Sequence, residues 1–343
     1  MLYGRGSQTG YAGALGTPGS VTLAAVSASL APVGPSSGTT ALSSTSFVIV
    51  AADAGDLLGT NGTTMHQGPA TVANANVASV SVTTGQAIKV TVGTDVTGAL
   101  GYNLFVASTG SGPYFYAGRT GYNVGYITAQ PLAGPQATTG QADQSAVTNN
   151  YDGLLTNTAA SGGYVTRLNA AFSTTNPATE FQTAFGSVYE AVKGDPDEIW
   201  MNGFDRLQLS NAIVSNAANS AYRVYIPNDS GMGGVKAGTV VTSLLNEVTG
   251  SEVPLTVHPW MPQGNALGRQ KTLPIPDSNV SETSVMVLPQ DYVAVQWPVV
   301  QFTYDASTFT IGTFAHYAPA WNFLVQGIQG TGIGTTPPSF GDS

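Results

Sequence analysis

The sequence predicts an α+β fold in which an all-β portion comes first and a mixed portion of helices and strands follows. Three observations lead to this prediction. Short β-branched runs separated by Gly, Ser, Thr and Asn turns fill residues 20–128, a helical spacing of apolar residues begins at residue 181, and three further β-runs fill Gln290–Gly327. The length of 343 residues suits two domains.

The first portion is predicted to be a small antiparallel sandwich, because seven β-runs follow one another at close spacing. The predicted strands are Ser20–Ser27, Ser46–Ala51, Ala78–Thr83, Ala87–Val92, Tyr102–Val106, Tyr114–Ala117 and Val124–Thr128. We assign the sandwich to residues 15–130, after an N-terminal segment of residues 1–14.

The pattern changes after Gly134–Asn150, a polar stretch rich in Gln, Thr and Ala that we interpret as a linker or an extended arm. One apolar stripe at helical spacing then predicts a helix, formed by Phe181, Ala184, Phe185, Val188 and Ala191. Asn176 and Pro177 suit its cap and first position, and Gly194 suits its end.

The remaining elements are predicted to be short. Glu198–Met201 has the pattern of a buried strand, and Phe204, Leu207 and Val214 predict a second helix with these side chains on its apolar face. Short β or mixed segments follow at Arg223–Ile226, Val240–Leu245 and Leu255–His258. We assign residues 131–330 to this α+β portion and expect residues 331–343, rich in Gly, Thr and Pro, to form a flexible tail.

The stretch Gln290–Gly327 carries bulky apolar side chains in alternation. Val293, Val295 and Trp297 alternate before Pro298, and Val300, Phe302 and Tyr304 alternate after it. Pro298 cannot donate to a strand ladder, so it predicts an edge strand or a bulge. A turn is expected at 305–307, and Phe309 and Ile311 resume the alternation. We interpret this stretch as a structural surface and not as an active site.

Charge and cysteine content exclude several functions. Only 8% of the residues are charged, against about 25% in an ordinary soluble domain, which indicates either extensive contact with other protein or an extracellular chain. The net charge is −9 and no Lys/Arg cluster exists, so nucleic-acid binding is not expected. No apolar stretch is long enough to span a bilayer. The absence of cysteine excludes disulfides and thiolate chemistry.

The candidate chemistry is sparse. His66, His258 and His316 lack partners at metal-ligand spacing, so structural roles are expected. Asp195, Asp197 and Glu198 crowd one junction, where acid–base chemistry or calcium binding competes with a solvated turn, which we favour.

Two further sequence patterns carry little weight. Gly34–Gly38 matches G-x-S-x-G by letter but lacks the strand and helix of a nucleophile elbow. Asn61, Asn228 and Asn279 begin glycosylation sequons by letter. We predict no catalytic residue, no metal ligand and no cofactor, and therefore no enzyme.

Gly98–Thr120, with the sequence GALGYNLFVASTGSGPYFYAGRT, resembles the late strands of fibronectin type III or immunoglobulin-like modules. In such modules a Tyr-containing strand leads through a Ser/Gly turn into a strand beginning Pro-Tyr. The resemblance implies an immunoglobulin-like sandwich.

From Tyr151 onward six motifs follow one another: YDGLLTN (Tyr151–Asn157), DPDEIWMNGFDRLQL (Asp195–Leu209), RVYIPND (Arg223–Asp229), GTVVTSLLNEVTGSEVPLTVHPWMPQGNAL (Gly238–Leu267), QDYVAVQWP (Gln290–Pro298) and HYAPAWNFLVQGI (His316–Ile328). In this order they resemble the major capsid proteins of tailed bacteriophages, which have the Hong Kong 97 fold. The family usually has an N-terminal arm, a protruding loop and a long spine helix ahead of this region. The sequence opens almost directly into the β-runs, which predicts either a fragment or processed product, or a shortened relative.

The resemblance implies a virion structural protein, assembled in the bacterial host cytoplasm, whose copies form the hexamers and pentamers of an icosahedral shell around phage DNA. The sandwich would decorate the outside of the shell, and portal, scaffold and decoration proteins are further candidate partners. The alternative is a secreted or surface-displayed β-sandwich protein for adhesion or glycan binding. No export signal is visible near Met1, where glycines and a proline interrupt any apolar region.

Overall fold

The computed structural model describes residues 2, 15–27, 39–40, 42, 44–54, 57–61, 64–67, 78–132, 136–137, 152–216, 240–273, 282–296 and 306–329. The first part of the chain forms strands only within these residues. The strands are β1 (Val21–Ser27), β2 (Thr39–Thr40), β3 (Thr45–Asp53), β4 (Leu57–Asn61), β5 (Thr64–Gln67), β6 (Ala78–Ser81), β7 (Gln86–Val92), β8 (Gly101–Ala107), β9 (Tyr114–Thr120), β10 (Val124–Ile127), β11 (Gln130–Pro131) and β12 (Gln136–Ala137).

Two antiparallel sheets of this part pack face to face. One sheet has the order β1-β7-β10, and the other has the order β12-β9-β8-β3-β6. Alternate side chains of both sheets meet in one core, including Val50 of β3, Ile88 of β7 and Leu104 of β8. The arrangement is a β-sandwich, and the pairing of β12 with β9 extends it to Gln136–Ala137.

The five-stranded sheet is buried on its second face as well. Ile49 and Phe105 belong to a separate cluster there, and every residue of β8 is buried. Phe105 meets Tyr116 edge to face, with ring centroids 5.8 Å apart. Both faces of this sheet therefore carry buried apolar side chains.

Besides a short 3-10 helix at Pro319–Trp321, the second part contains three α-helices and eight strands within the described residues. In chain order they are α1 (Leu154–Ala160), β13 (Tyr164–Ala170), α2 (Thr179–Val192), β14 (Glu198–Met201), α3 (Gly203–Asn216), β15 (Ser243–Leu245), β16 (Glu252–Val257), β17 (Asn265–Arg269), β18 (Ser284–Gln296), β19 (Ala306–His316) and β20 (Phe323–Ile328). No described helix is long and apolar enough to cross a membrane.

Six of these strands form one mixed sheet with the order β13-β20-β17-β14-β16-β15. β13 is parallel to β20 and β14 is parallel to β16, while the other neighbours are antiparallel. The central strands are short and apolar, and all six residues of β20 are buried. The described fold is β-rich, with helices confined to the second part.

The mixed sheet is covered differently on its two faces. α2 and α3 pack on one face, where Phe181 and Phe185 surround the ring of Phe323. On the other face, α1 packs beside Leu100 from the sandwich. Leu2 lies in the same cluster and its carbonyl oxygen accepts a hydrogen bond from the Leu155 N–H at 3.3 Å. The two parts of the chain therefore share an apolar contact.

The sequence-based strands of the sandwich are confirmed: each of the seven runs is a strand, with ends displaced by three residues or fewer. The strand Glu198–Met201 and both predicted helices are also confirmed. The predicted helix start was wrong by two residues, because Ala178 occupies the cap position and Pro177 lies outside the helix. Lys193, with φ 57°, takes the left-handed cap position ahead of Gly194.

The predicted apolar face of the second helix was wrong. Phe204 and Leu207 are each more than a third exposed, whereas Leu209 and Ile213 are buried against the sheet. Asp205 lies on the buried side with them. Because Asp205 is polar, a search for apolar residues at helical spacing does not find this buried face.

Several predictions fall outside the described residues. They are the segment Arg223–Ile226, the tail 331–343, the N-terminal segment 1–14 apart from Leu2, and the linker Gly134–Asn150 apart from Gln136–Ala137.

Candidate functional site

A two-stranded ribbon carries five of the large apolar side chains that are exposed among the described residues, including Tyr292, Phe309 and Ile311. β18 and β19 pair antiparallel, with Gln290 opposite Ile311 and Val293 opposite Phe309. Among the described strands they form a sheet of their own. At about 3.3 Å per residue, the 13 residues of β18 make the ribbon roughly 40 Å long. We call Ser284–Gln296 together with Ala306–His316 the apolar ribbon.

The ribbon is anchored at one end. Phe314 is 2% exposed and packs with Met286 in the cluster beside α1. The hydroxyl of Thr283 donates to the Gln270 carbonyl oxygen at 2.5 Å, and the Thr283 N–H donates to the Lys271 carbonyl oxygen at 2.9 Å. These contacts fasten the base of the ribbon to the strand that leaves the mixed sheet.

Away from this base both faces of the ribbon are open. Residues 287–292 and 306–311 are all exposed, and consecutive residues of a strand point to opposite faces. Tyr292 is 75% exposed, Ile311 55% and Phe309 44%. Exposed apolar side chains grouped in this way are typical of interaction sites, and an uncovered two-stranded hairpin is at best marginally stable in water.

The ribbon corrects parts of the sequence interpretation. β18 begins before the predicted run, at Ser284, and the expected turn at 305–307 was wrong because Ala306 and Ser307 pair with Gln296 and Val295. Trp297, Pro298 and the run Val300–Tyr304 lie outside the described residues. The exposure of residues 287–292 and 306–311 shows that the strands pack against no layer of the described residues over most of their length.

The acidic junction at residues 195–198 is not the solvated turn that we favoured. Oδ1 of Asp195 accepts hydrogen bonds from Asn246 Nδ2 at 2.9 Å, Thr249 Oγ1 at 3.0 Å and Ser251 Oγ at 3.0 Å. Both carboxylate oxygens of Asp197 accept from the Lys271 N–H, at 3.1 and 3.3 Å. Burial raises the pKa of Asp197. Asp195 thus organises the turn between β15 and β16.

Glu198 is buried between two cations. Its carboxylate lies 2.9 Å from Arg269 Nε and 2.8 Å from Lys271 Nζ. The guanidinium of Arg269 also lies 4.3 Å from the ring centre of Trp200. The charged groups are paired among themselves, so this cluster links β14 with β17 and the residues that follow it.

His258 and His316 lie in structural surroundings. His258 stacks on Trp200 with ring centroids 4.9 Å apart, and burial followed by the charge of Arg269 lowers its pKa. The Nε2 of His316 lies 2.7 Å from Asn322 Nδ2, and burial lowers the pKa of His316 to about 4. Both rings are neutral at pH 7. His66 lies in β5, on the hairpin with β4.

Other sequence candidates are not brought together. Asn61 ends β4, while Gly34–Gly38, Asn228 and Asn279 lie outside the described residues. Within the described part of the chain, no group of three or more His, Asp or Glu side chains is arranged to hold a metal ion.

Sequence reasoning missed a buried carboxyl group on α3. Asp205 is fully buried, and its Oδ2 accepts a hydrogen bond from the Gly264 N–H at 2.8 Å. Burial, only partly offset by this hydrogen bond, raises its pKa to about 8, so the group is protonated at neutral pH. Gly264 in turn lies against the backbone of Gly121 in the sandwich, with no room for a Cβ atom.

Sequence reasoning also missed the polar contact between the two parts of the chain. Side chains of the mixed sheet donate hydrogen bonds to backbone carbonyl groups of residues 96–100 in the sandwich. The donors are Arg167 Nη2 to Val96 (3.0 Å) and Ala99 (3.2 Å), Asn265 Nδ2 to Leu100 (3.0 Å), and Gln326 Nε2 to Ala99 (3.3 Å). Because the hydrogen-bonded residues are far apart in the sequence, no local sequence pattern indicates these contacts.

No family model matches the chain, and no curated protein is significantly similar to it.

Proposed function

We propose that this chain is a virion structural protein, a major capsid subunit with a Hong Kong 97-like domain and an immunoglobulin-like sandwich. Copies of the chain associate into hexamers and pentamers of an icosahedral shell that encloses phage DNA. The sandwich faces outward, and portal, scaffold and decoration proteins are its further partners in the virion.

The apolar ribbon is the observation that carries this proposal. It exposes Tyr292, Phe309 and Ile311 on a thin strand pair with only one acidic residue, Asp291. Contact with other protein removes this surface from water, at about 25 cal/mol for each Å² of apolar area. A subunit that always exists in an assembly can carry such a surface, whereas a lone monomer aggregates through it.

The composition supports the same function. Charged residues make up only 8% of the chain, and interface cores are depleted of charge. The net charge of −9 suits a shell that surrounds DNA without gripping it.

The motifs that resemble capsid proteins also support the proposal. Leu154 and Leu155 of YDGLLTN pack on the same face of the mixed sheet as Leu324 of HYAPAWNFLVQGI. QDYVAVQWP supplies the second half of β18. Motifs from distant parts of the sequence thus belong to one folded unit, as a family resemblance requires.

Electron microscopy of the purified full-length chain, and of virion or lysate fractions containing it, tests the proposal. We expect closed shells, or rings of five and six copies. A monodisperse monomer with no shell or ring in any fraction would contradict it and would favour the adhesion or glycan-binding alternative.

A further inference from the structure

The two long edges of the apolar ribbon differ. β18 contains Pro289, which has no N–H to donate, and Asp291, whose side chain is exposed. Its register shifts twice against β19, between Val287 and Gln290 and between Gln290 and Val293, with one extra residue each time. Proline, bulges and charge are the devices that prevent a strand edge from pairing further.

The β19 edge has none of these devices. From Ala306 to Ala315 it contains no proline and no charged residue. The extra residues of both bulges lie in β18 and not in β19. Thr308, Phe309, Thr310 and Ile311 are β-branched or aromatic residues of the kind that favour strands. No described strand lies on the far side of β19. Backbone groups of Thr308–Thr313 along that side can pair with another strand.

We propose that β19 of one copy pairs antiparallel with β19 of a second copy about a two-fold axis. The product is a four-stranded sheet with the order β18-β19-β19-β18 shared by two copies. This inference rests on the proposed self-assembly and names one of its contacts. Because both outer edges of the shared sheet are β18, the pairing ends at two copies and does not grow into a fibre.

Charge favours the pairing of β19 with β19 over the pairing of β18 with β18. Two β19 strands bring no like charges together, whereas pairing two β18 strands would place one Asp291 carboxylate near another. A contact about 37 Å long and about 10 Å deep buries roughly 400 Å² per copy, about half of a standard interface. The pair is therefore weak alone and persists where other contacts of the assembly hold the copies together.

Cysteine scanning tests the pairing, because the chain contains no cysteine of its own. Single variants T308C, F309C, T310C, I311C and T313C probe β19, and L288C and Y292C are exposed controls on β18. Each full-length variant is assembled, oxidised with a mild disulfide catalyst and run on a non-reducing gel. Facing Cβ atoms about 4.5–5.5 Å apart can form a disulfide with slight adjustment.

When two β19 strands pair about a two-fold axis, each residue lies opposite the same residue of the second copy only at the axis. The distance between the two equivalent residues grows by about 7 Å for each position along the strand away from the axis. We therefore expect a shift from monomer to disulfide-linked dimer at one β19 position, or at two adjacent positions, and only monomer for L288C and Y292C. Shells with equal cross-linking on both strands, or with none on β19, overturn the pairing and leave the proposed function standing. Failure of the wild-type chain to form any shell or ring overturns both.

Discussion

The side-chain amide of Asn169 donates a hydrogen bond of 2.6 Å to Oδ2 of Asp95, tying the edge strand of the mixed sheet to the sandwich. The register of β13 shifts between Arg167 and Ala170, and Asn169 there has a left-handed φ of 46°. A bulge of this kind re-aims a side chain, and here it turns Asn169 toward the sandwich. Arg167 Nη1 lies 3.6 Å from the same carboxylate.

Replacing Asn169 tests this contact. Asn169→Ala loses a hydrogen bond to a carboxylate, worth about 1.5 kcal/mol, and forces alanine into a left-handed conformation that costs roughly another 1 kcal/mol. Asn169→Gly is the matched control, because glycine adopts this φ freely and loses mainly the hydrogen bond. Urea denaturation of the unassembled chain should rank wild type above Gly and Gly above Ala. A glycine variant as stable as wild type would show that the hydrogen bond contributes nothing.

Asp205 predicts a pH dependence of stability. The folded chain keeps this proton up to about pH 8, whereas the unfolded chain releases it near pH 4. The folded state therefore binds more protons in this window, so this group makes the free energy of unfolding fall as pH rises from about 4 to about 8 and level off above.

Asp205→Asn removes this titration and keeps an oxygen that accepts from the Gly264 N–H. We expect the variant to gain stability relative to wild type between pH 5 and pH 8, by an amount on the order of a few kcal/mol. Urea titrations at both pH values measure the difference, with Asp291→Asn on the exposed ribbon as the control for general charge effects. An equal change with pH in wild type and Asp205→Asn would contradict the assignment.

Gly268 is required by the packing of the mixed sheet. It lies opposite Phe323 in the β17–β20 pair, and a Cβ atom at this position would overlap the Phe323 ring. That ring is held edge to face by Phe185 at 5.4 Å, so it cannot move aside. Gly268→Ala should lower the melting temperature and cost about 1–3 kcal/mol or more. Gly19→Ala, where nothing lies within 4 Å of the added atom, should be close to neutral.

The ribbon should matter for assembly and not for folding. Tyr292→Lys places a charge on a side chain that is already 75% exposed, so the melting temperature of the unassembled chain should stay within a few degrees of wild type. The same variant should fail to form shells or rings in sedimentation velocity, because the charge would be buried where other protein covers the faces of the ribbon. Leu132→Lys, at a 59% exposed residue of the first part, is the matched control and should assemble normally. Equal assembly of both variants would exclude the ribbon as the contact.

The sequence predicted strands better than it predicted faces. In β7 and β8, β-branched and aromatic residues either alternate with other residues or follow one another between two turns. Such local patterns are sufficient to locate a strand in the sequence. The buried face of α3 was missed because Asp205 and Gln208 occupy it beside Leu209, and a polar residue gives no apolar signal.

The candidate site was recognised as apolar and β-structured but not as exposed. Apolar and polar residues alternate in the same way in a strand that packs against another layer and in a strand that is exposed to solvent. The sequence of β18 and β19 therefore does not distinguish these two cases. The contacts of Asn169 with Asp95 and of Asp205 with Gly264 join residues far apart in sequence, so only the folded chain reveals them.

Hydrogen–deuterium exchange of β19 tests the central claim most directly, because it reports whether the backbone of this strand is paired or open. We predict slow exchange over Thr308–Thr313 in assembled particles and fast exchange in the unassembled chain, while β20, with all six residues buried, exchanges slowly in both. Equally fast exchange of β19 in both states would contradict the claim that copies of the chain associate through the apolar ribbon.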